Sequence, residues 1–300
     1  MSGGPETGSY SALFDASPTT TKLVTLGNLS RVGARPPLGQ YVRLLWARRH
    51  FLWADARAKV ASGTRQSLLG KAWLVLNPLV DGAVYYLVFG MLMKNSRGID
   101  NFVGYLLIGV FLFQFTTQSI NGGARSVQSG KNLIRAFTFP RAALPISVVL
   151  RNLLNLGPTL VTLTALIYFI PPAEEYTWRI ALVAGALALQ VMFTTGLSLL
   201  VARWAAALPD ITNLIGMVMR VWLYASAVFF SFDTLLVDEP ELQRWLEVNP
   251  MFIVLDIVRD CVLYATTPDL MRWVWLGGWA VGMLLIGFVT FWRAEESYGR

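Results

Sequence analysis

Charge is scarce in this chain. Asp, Glu, Lys and Arg make up 14% of its 300 residues, whereas 55% are hydrophobic and the mean hydropathy is +0.51. Soluble domains carry about 25% charged residues, so there is too little charge here to solvate a globular surface. Aromatics reach 13%, far too many for a disordered polypeptide. A single cysteine, Cys261, excludes a disulfide framework and a cysteine zinc site. A single histidine, His50, excludes a His-Glu-x-x-His metalloprotease. An ordinary soluble enzyme is thereby ruled out. The net charge of +7 has to be weighed against a membrane first, and no nucleic-acid partner is expected.

Long apolar runs are what the sequence does have. Residues 1–36 are polar and rich in Gly, Ser, Thr and Pro, with no apolar run behind a basic start. They are expected to form a disordered cytoplasmic extension without a cleavable signal. A bilayer core takes about 20 apolar residues in helix. Six segments qualify: 72–93, 102–122, 152–170, 180–202, 211–232 and 273–292. The predicted fold is therefore an all-α integral membrane protein of six transmembrane helices. Seventeen Lys and Arg fall on the side of the termini and six on the other. This places both termini in the cytoplasm of a multi-pass cell-membrane protein. Acids lean the other way, with eleven outside, six inside and Asp81 within a span.

Two regions flank this core. Residues 40–60 predict an amphipathic interface helix, with Tyr41, Leu45, Leu52 and Ala56 on one stripe, within a lead-in spanning 37–71. Between spans five and six, over 238–266, Asp238-Glu-Pro240 and Asn249-Pro250 each fit a helix start. The second of these helices, 251–264, is too short and too charged to cross. A pair of re-entrant or interfacial helices on the outer face is expected.

Chemistry of the catalytic kind is not evident. Arg65-Gln-Ser-Leu-Leu-Gly70-Lys71-Ala72 resembles a nucleotide loop, but Arg65 replaces the leading Gly and Ala72 the Ser or Thr that holds magnesium. Polar stripes within spans are more informative. Gln114, Gln118, Asn121 and Arg125 share one helical face, as do Asp81, Tyr85 and Phe89. Asn213, Met217, Arg220, Tyr224 and Ser231 form a third. Such faces point at a bundle interior or a wet path, or serve helix–helix hydrogen bonding. Asp81 and Arg220 each lie nine residues in from a cytoplasmic helix end, about 14 Å deep. They are expected to pair or to face one hydrated cavity. Tyr85, Tyr86 and Phe89, with Trp222, Tyr224, Phe229 and Phe230, cluster in outer halves of spans. They suit either an interfacial belt or a platform for sugar rings.

Several motifs recur in one order: Ser67-Leu-Leu-Gly70-Lys71-Ala-Trp73, Leu76-Asn77-Pro78, Gly104-Tyr-Leu-Leu-Ile-Gly109, Asn132-Leu-Ile-Arg-Ala-Phe-Thr-Phe139-Pro140, Leu208-Pro209-Asp210 and Asn249-Pro250. Over residues 40 to 295 the chain resembles the permease subunit of ABC-2 type polysaccharide exporters, the Wzm and teichoic-acid exporter group. Its extension and Ala/Arg/Val/Leu-rich usage are most similar to the actinobacterial, galactan-exporting branch. Ala207 departs from the Arg that many members carry before the Asp.

The resemblance implies export of a lipid-linked polysaccharide, best matched by galactan on a polyprenyl pyrophosphate. It implies a homodimer of this subunit with two copies of a separate ATPase, which binds ATP and Mg; this subunit itself needs no cofactor or metal. It implies a coupling region over 125–141 (Arg125, Lys131, Asn132, Arg135, Phe139, Pro140, Arg141), a conduit along spans one and five, and gate helices over 238–266. Arg43, Arg48, Arg49, Arg57 and Lys59 are expected to attract the pyrophosphate. A drug or lipid exporter of the same family, and a membrane enzyme acting on polyprenyl-linked sugars, are the alternatives.

Overall fold

The computed structural model describes residues 35–63, 72–88, 99, 101–136, 139–169, 177–235 and 238–298, and every regular element among them is helical. In chain order these are α1 (Leu38–Ala47), α2 (Arg49–Gly63), α3 (Trp73–Tyr85), α4 (Phe102–Ser129), α5 (Lys131–Ala136) and α6 (Ala143–Phe169). There follow α7 (Ile180–Ala207), α8 (Ile211–Tyr224), α9 (Phe232–Leu235), α10 (Pro240–Glu247), α11 (Pro250–Val262) and α12 (Leu270–Arg293). The N-terminal extension through residue 34 lies outside the described residues.

Four helices, α4, α6, α7 and α12, are long and apolar enough to cross a bilayer. All four outrun their expected spans at one end at least. α6 starts nine residues before the expected 152, and α4 runs on to Ser129. Hydropathy stops at the first polar residues, but backbone hydrogen bonding does not.

α4 is the hub. Most of its apolar stretch is buried, whereas in α6, α7 and α12 only a minority is fully buried, and α6 and α7 both pack along it. α7 and α12 pair most extensively, because Gly196 and Gly287 meet face to face. A Cβ on Gly287 would stand 1.9 Å from the Gly196 carbonyl oxygen. Close approach through small residues is a standard route to helix association in lipid. Side-chain hydrogen bonds add to it. Gln190 Nε2 donates to the Leu112 carbonyl at 2.9 Å and to Thr116 Oγ1 at 3.0 Å. Asn152 Nδ2 reaches Ser119 Oγ at 3.1 Å.

Three expectations change. The interface helix is two helices, broken at Arg48, although Tyr41, Leu52 and Ala56 of the predicted stripe are buried. The first span is described only as α3 and a wider turn over 86–88; Phe89 and the rest of that span lie outside the described residues. The fifth span is not a 22-residue helix. α8 stops at Tyr224, and the chain buckles over 225–231 with Ala227 at φ 51°. The two short helices before α12 are α10 and α11, each with Pro in its first turn. Asn249 caps α11 through Oδ1, which accepts from Met251 N at 3.1 Å.

Candidate functional site

Three constructions stand out. The first is a polar furrow between α4 and α6, flanked by α2 and α3. A cavity of about 640 Å³ is lined by Lys59, Trp73, Asn77, Asp81, Gln114, Gln118, Arg151, Asn152, Asn155 and Thr159, with Val60, Pro78 and Val80. A second, about 390 Å³, continues it along α4 and α6 past Ser126, Ser129, Gly130 and Ser147. Lys59 and Arg151 line both.

The expected stripes of Asp81 and of Gln114 with Gln118 thus meet in one cavity. Arg151, Asn155 and Thr159 form a stripe that the sequence reading did not single out, although their spacing of four and four is the same signal. Arg220 is elsewhere. It is exposed on α8, and its Nε donates to the Gly216 carbonyl one turn back at 3.3 Å. No ion pair joins it to Asp81 among the described residues. Equal depth is one coordinate only: α3 packs chiefly on α6 and more lightly on α4, whereas α8 packs on α4 and α7.

The second construction is the buckle after α8. Its unpaired carbonyls are collected by side chains from neighbouring elements. Arg259, 2% exposed, donates from Nη1 to the Ala227 carbonyl and from Nη2 to that of Tyr105, both at 3.1 Å. Its guanidinium carbon lies 3.3 Å from the Tyr105 ring centroid. The Tyr105 hydroxyl is 2.9 Å from both the Ala227 and Phe230 carbonyl oxygens. Asn249 Nδ2 donates to the Ala225 carbonyl at 2.8 Å. Irregular backbone at membrane depth requires such internal partners. The aromatics divide here. Trp222 turns inward, edge-on to Phe113 and Phe193 with centroids 5.7 and 6.1 Å away, and its Nε1 donates to Asn249 Oδ1 at 2.9 Å. Tyr224 is exposed and packs on half-buried Phe229; Phe230 packs on Phe232. Tyr86 is half-buried, and the Tyr85 side chain lies outside the described residues.

The third is a junction at the end of α12. Buried Glu295 accepts from the Tyr41 hydroxyl at 2.8 Å and from the Arg141 backbone N–H at 2.9 Å. The Tyr41 oxygen in turn accepts from Ala142 N at 3.0 Å. The Arg141 guanidinium donates to the Glu295 carbonyl. Burial pushes the Glu295 carboxyl above the usual carboxylate range, against the lowering effect of these donors. Burial likewise pushes the Tyr41 and Tyr298 phenols up. Of the expected coupling residues, Arg125, Lys131 and Asn132 are exposed, Phe139 is half-buried and Pro140 is buried. The Arg135 side chain lies outside the described residues. Arg43, Arg48, Arg49, Arg57 and Lys59 are all exposed along α1 and α2. Of these, Lys59 pairs with Asp55 at 2.7 Å.

A helical chain with several bilayer-length apolar helices, a polar furrow at their depth and a basic flank has the makings of a membrane permease. It belongs to the ABC-2 type transporter family, whose model matches residues 52–263. It is similar to the O-antigen export system permease protein RfbA of Myxococcus xanthus, with 28% identity over 230 residues, 76% of this chain and 86% of that protein. An RfbA of the same description from Klebsiella pneumoniae is 25% identical over 205 residues, 67% of this chain and 76% of its own length.

Proposed function

We propose that this chain is the membrane subunit of an ATP-driven exporter that carries a lipid-linked polysaccharide from the cytoplasm to the outer side of the cell membrane. The observation that carries the reading is the polar furrow. A permease for apolar drugs or lipids gains nothing from lining membrane-depth space with Asp81, Gln114, Gln118, Arg151 and Asn155. The names of its relatives, O-antigen export permeases, point the same way.

The finer picture is part of the proposal. α3 and α8 complete six crossings, and both termini are cytoplasmic, a reading supported by the excess of basic residues on that side. α10 and α11 are re-entrant gate helices. Two copies of the chain work with two copies of a separate subunit that binds and hydrolyses ATP with Mg. The region 125–141 docks on that subunit, and its motion shifts α3 and α8. The basic face of α1 and α2 draws the pyrophosphate of the carrier, and galactan is the cargo of choice. Tyr224 and Phe229 offer sugar-stacking surfaces, while Trp222 holds the fold.

The test is to purify the chain with its ATPase in nanodiscs and to measure ATP hydrolysis with and without a polyprenyl-diphosphate glycan. Stimulation, together with loss of surface polymer in a deletion strain, is expected. A deletion strain with normal surface polymer overturns the reading.

A further inference from the structure

The furrow between α4 and α6 has a graded chemistry along its length. Arg151 lies eight residues into α6, about 12 Å from its cytoplasmic end. Asn155 lies about 18 Å in, and Gln118 and Gln114 about 16 and 22 Å up from the end of α4. Arg151 is therefore the shallow member and the carboxamides are the deep ones. Two observations mark the furrow as built to hold something. Arg151 has no ion pair among the described residues. Asn155 Oδ1 is buried without a hydrogen-bond partner while its residue lines the cavity. A buried acceptor left alone is costly and is normally satisfied by protein, water or ligand.

We propose that this furrow is the headgroup site, taking the phosphate-bearing end of a membrane-borne glycan with its first sugar. The proposal rests on the export reading above. The phosphate lies between Arg151 and Lys59, where a guanidinium fork and an ammonium both donate to its oxygens. The sugar lies deeper, where Gln114, Gln118 and Asn155 both donate to and accept from hydroxyls. A cavity of about 640 Å³ lies within the range of small-ligand sites. The polyprenyl chain remains in lipid beside the exposed Val80 and Val84.

The test is ligand binding to the complete permease–ATPase complex in nanodiscs. Three probes separate the chemistries: undecaprenyl diphospho-N-acetylglucosamine, undecaprenyl phosphate, and inorganic pyrophosphate as competitor. Arg151→Gln is expected to weaken both lipid probes at least tenfold, and Arg151→Lys to restore much of the loss. Lys59→Gln, at an exposed position, acts in the same direction without a packing cost. Gln118→Ala weakens only the sugar-bearing probe. Competition by pyrophosphate in the wild type, lost in Arg151→Gln, locates the phosphate. Affinities in Arg151→Gln and Lys59→Gln within twofold of the wild type overturn the site, as does failure of all three probes to bind. Normal surface polymer in the deletion strain, with binding still dependent on Arg151, overturns the export reading and leaves the site standing.

Discussion

The Tyr41 hydroxyl donates to Glu295 Oε2 at 2.8 Å across 254 positions of sequence. It joins α1 to the segment after α12, and the Arg141 backbone N–H closes the triangle from just ahead of α6. Tyr41→Phe leaves a buried carboxylate short of one donor, a cost of about 1–3 kcal/mol. For a chain of this size that is a melting point lower by several degrees, measurable on the purified complex. A melting point equal to the wild type would mean that the bond contributes nothing.

The same carboxyl predicts a pH dependence. Its folded pKa is raised by burial above the unfolded value. Folding therefore favours the protonated form, and this contribution is fully present below the unfolded pKa and lost as pH rises through the folded one. Glu295→Gln is expected to flatten the melting-point profile in the acidic range, with its largest gain over the wild type at higher pH.

Arg259 organises the buckle. Arg259→Met takes the guanidinium from the Ala227 and Tyr105 carbonyls, leaving the Ala227 oxygen to the Tyr105 hydroxyl alone, and is expected to abolish recovery of folded complex. Arg259→Lys keeps the charge but lacks the fork that spans two carbonyls. It should yield complex with a clearly lowered melting point. Recovery of Arg259→Met at wild-type levels would show that the buckle stands without it.

Two glycines on one helix make a matched pair. Gly287→Ala places a methyl carbon against the Gly196 carbonyl, whereas a Cβ on Gly277 meets nothing within 4 Å. Gly287→Ala should destabilise strongly and Gly277→Ala should be silent, as read by detergent stability of the complex. Equal effects would contradict the α7–α12 contact.

Trp222 and Tyr224 should separate structure from transport. Trp222→Ala removes a half-buried ring and its bond to Asn249, and should lower the melting point by several degrees. Tyr224→Ala, at an exposed position, should leave the melting point alone and reduce polymer at the cell surface. Normal export by Tyr224→Ala would remove it from the path.

The sequence told most where the governing physics is periodic. Apolar runs located the long helices, and the Asn-Pro pair marked the start of α11. The i, i+4 rule put Gln114 and Gln118 on one face and held for Arg151, Asn155 and Thr159 as well, whereas the meeting of that face with Asp81 in one cavity is a matter of packing. It failed where a partner is remote. Nothing near residues 225–231 announces a break, because hydropathy stays high while the structure relies on Arg259, Tyr105 and Asn249 for the lost backbone bonds. Tyr41 and Glu295 are likewise invisible to any local pattern. The expected Asp81–Arg220 pair shows the converse, since depth along a helix says nothing about which neighbour lies beside it.

The Arg35 backbone N–H donates to Glu296 Oε1 at 3.1 Å, its guanidinium lies 4.2 Å from the Trp292 ring centroid, and Trp292 Nε1 donates to the Pro36 carbonyl at 3.0 Å. The two extremities of residues 35–298 are thus fastened together, with residues 141 and 142 held in the same clasp. Mechanically this part of the polypeptide is a closed ring, clasped at residues 141 and 142. A push delivered there enters the bundle simultaneously from its first and last elements, through two arms of one lever.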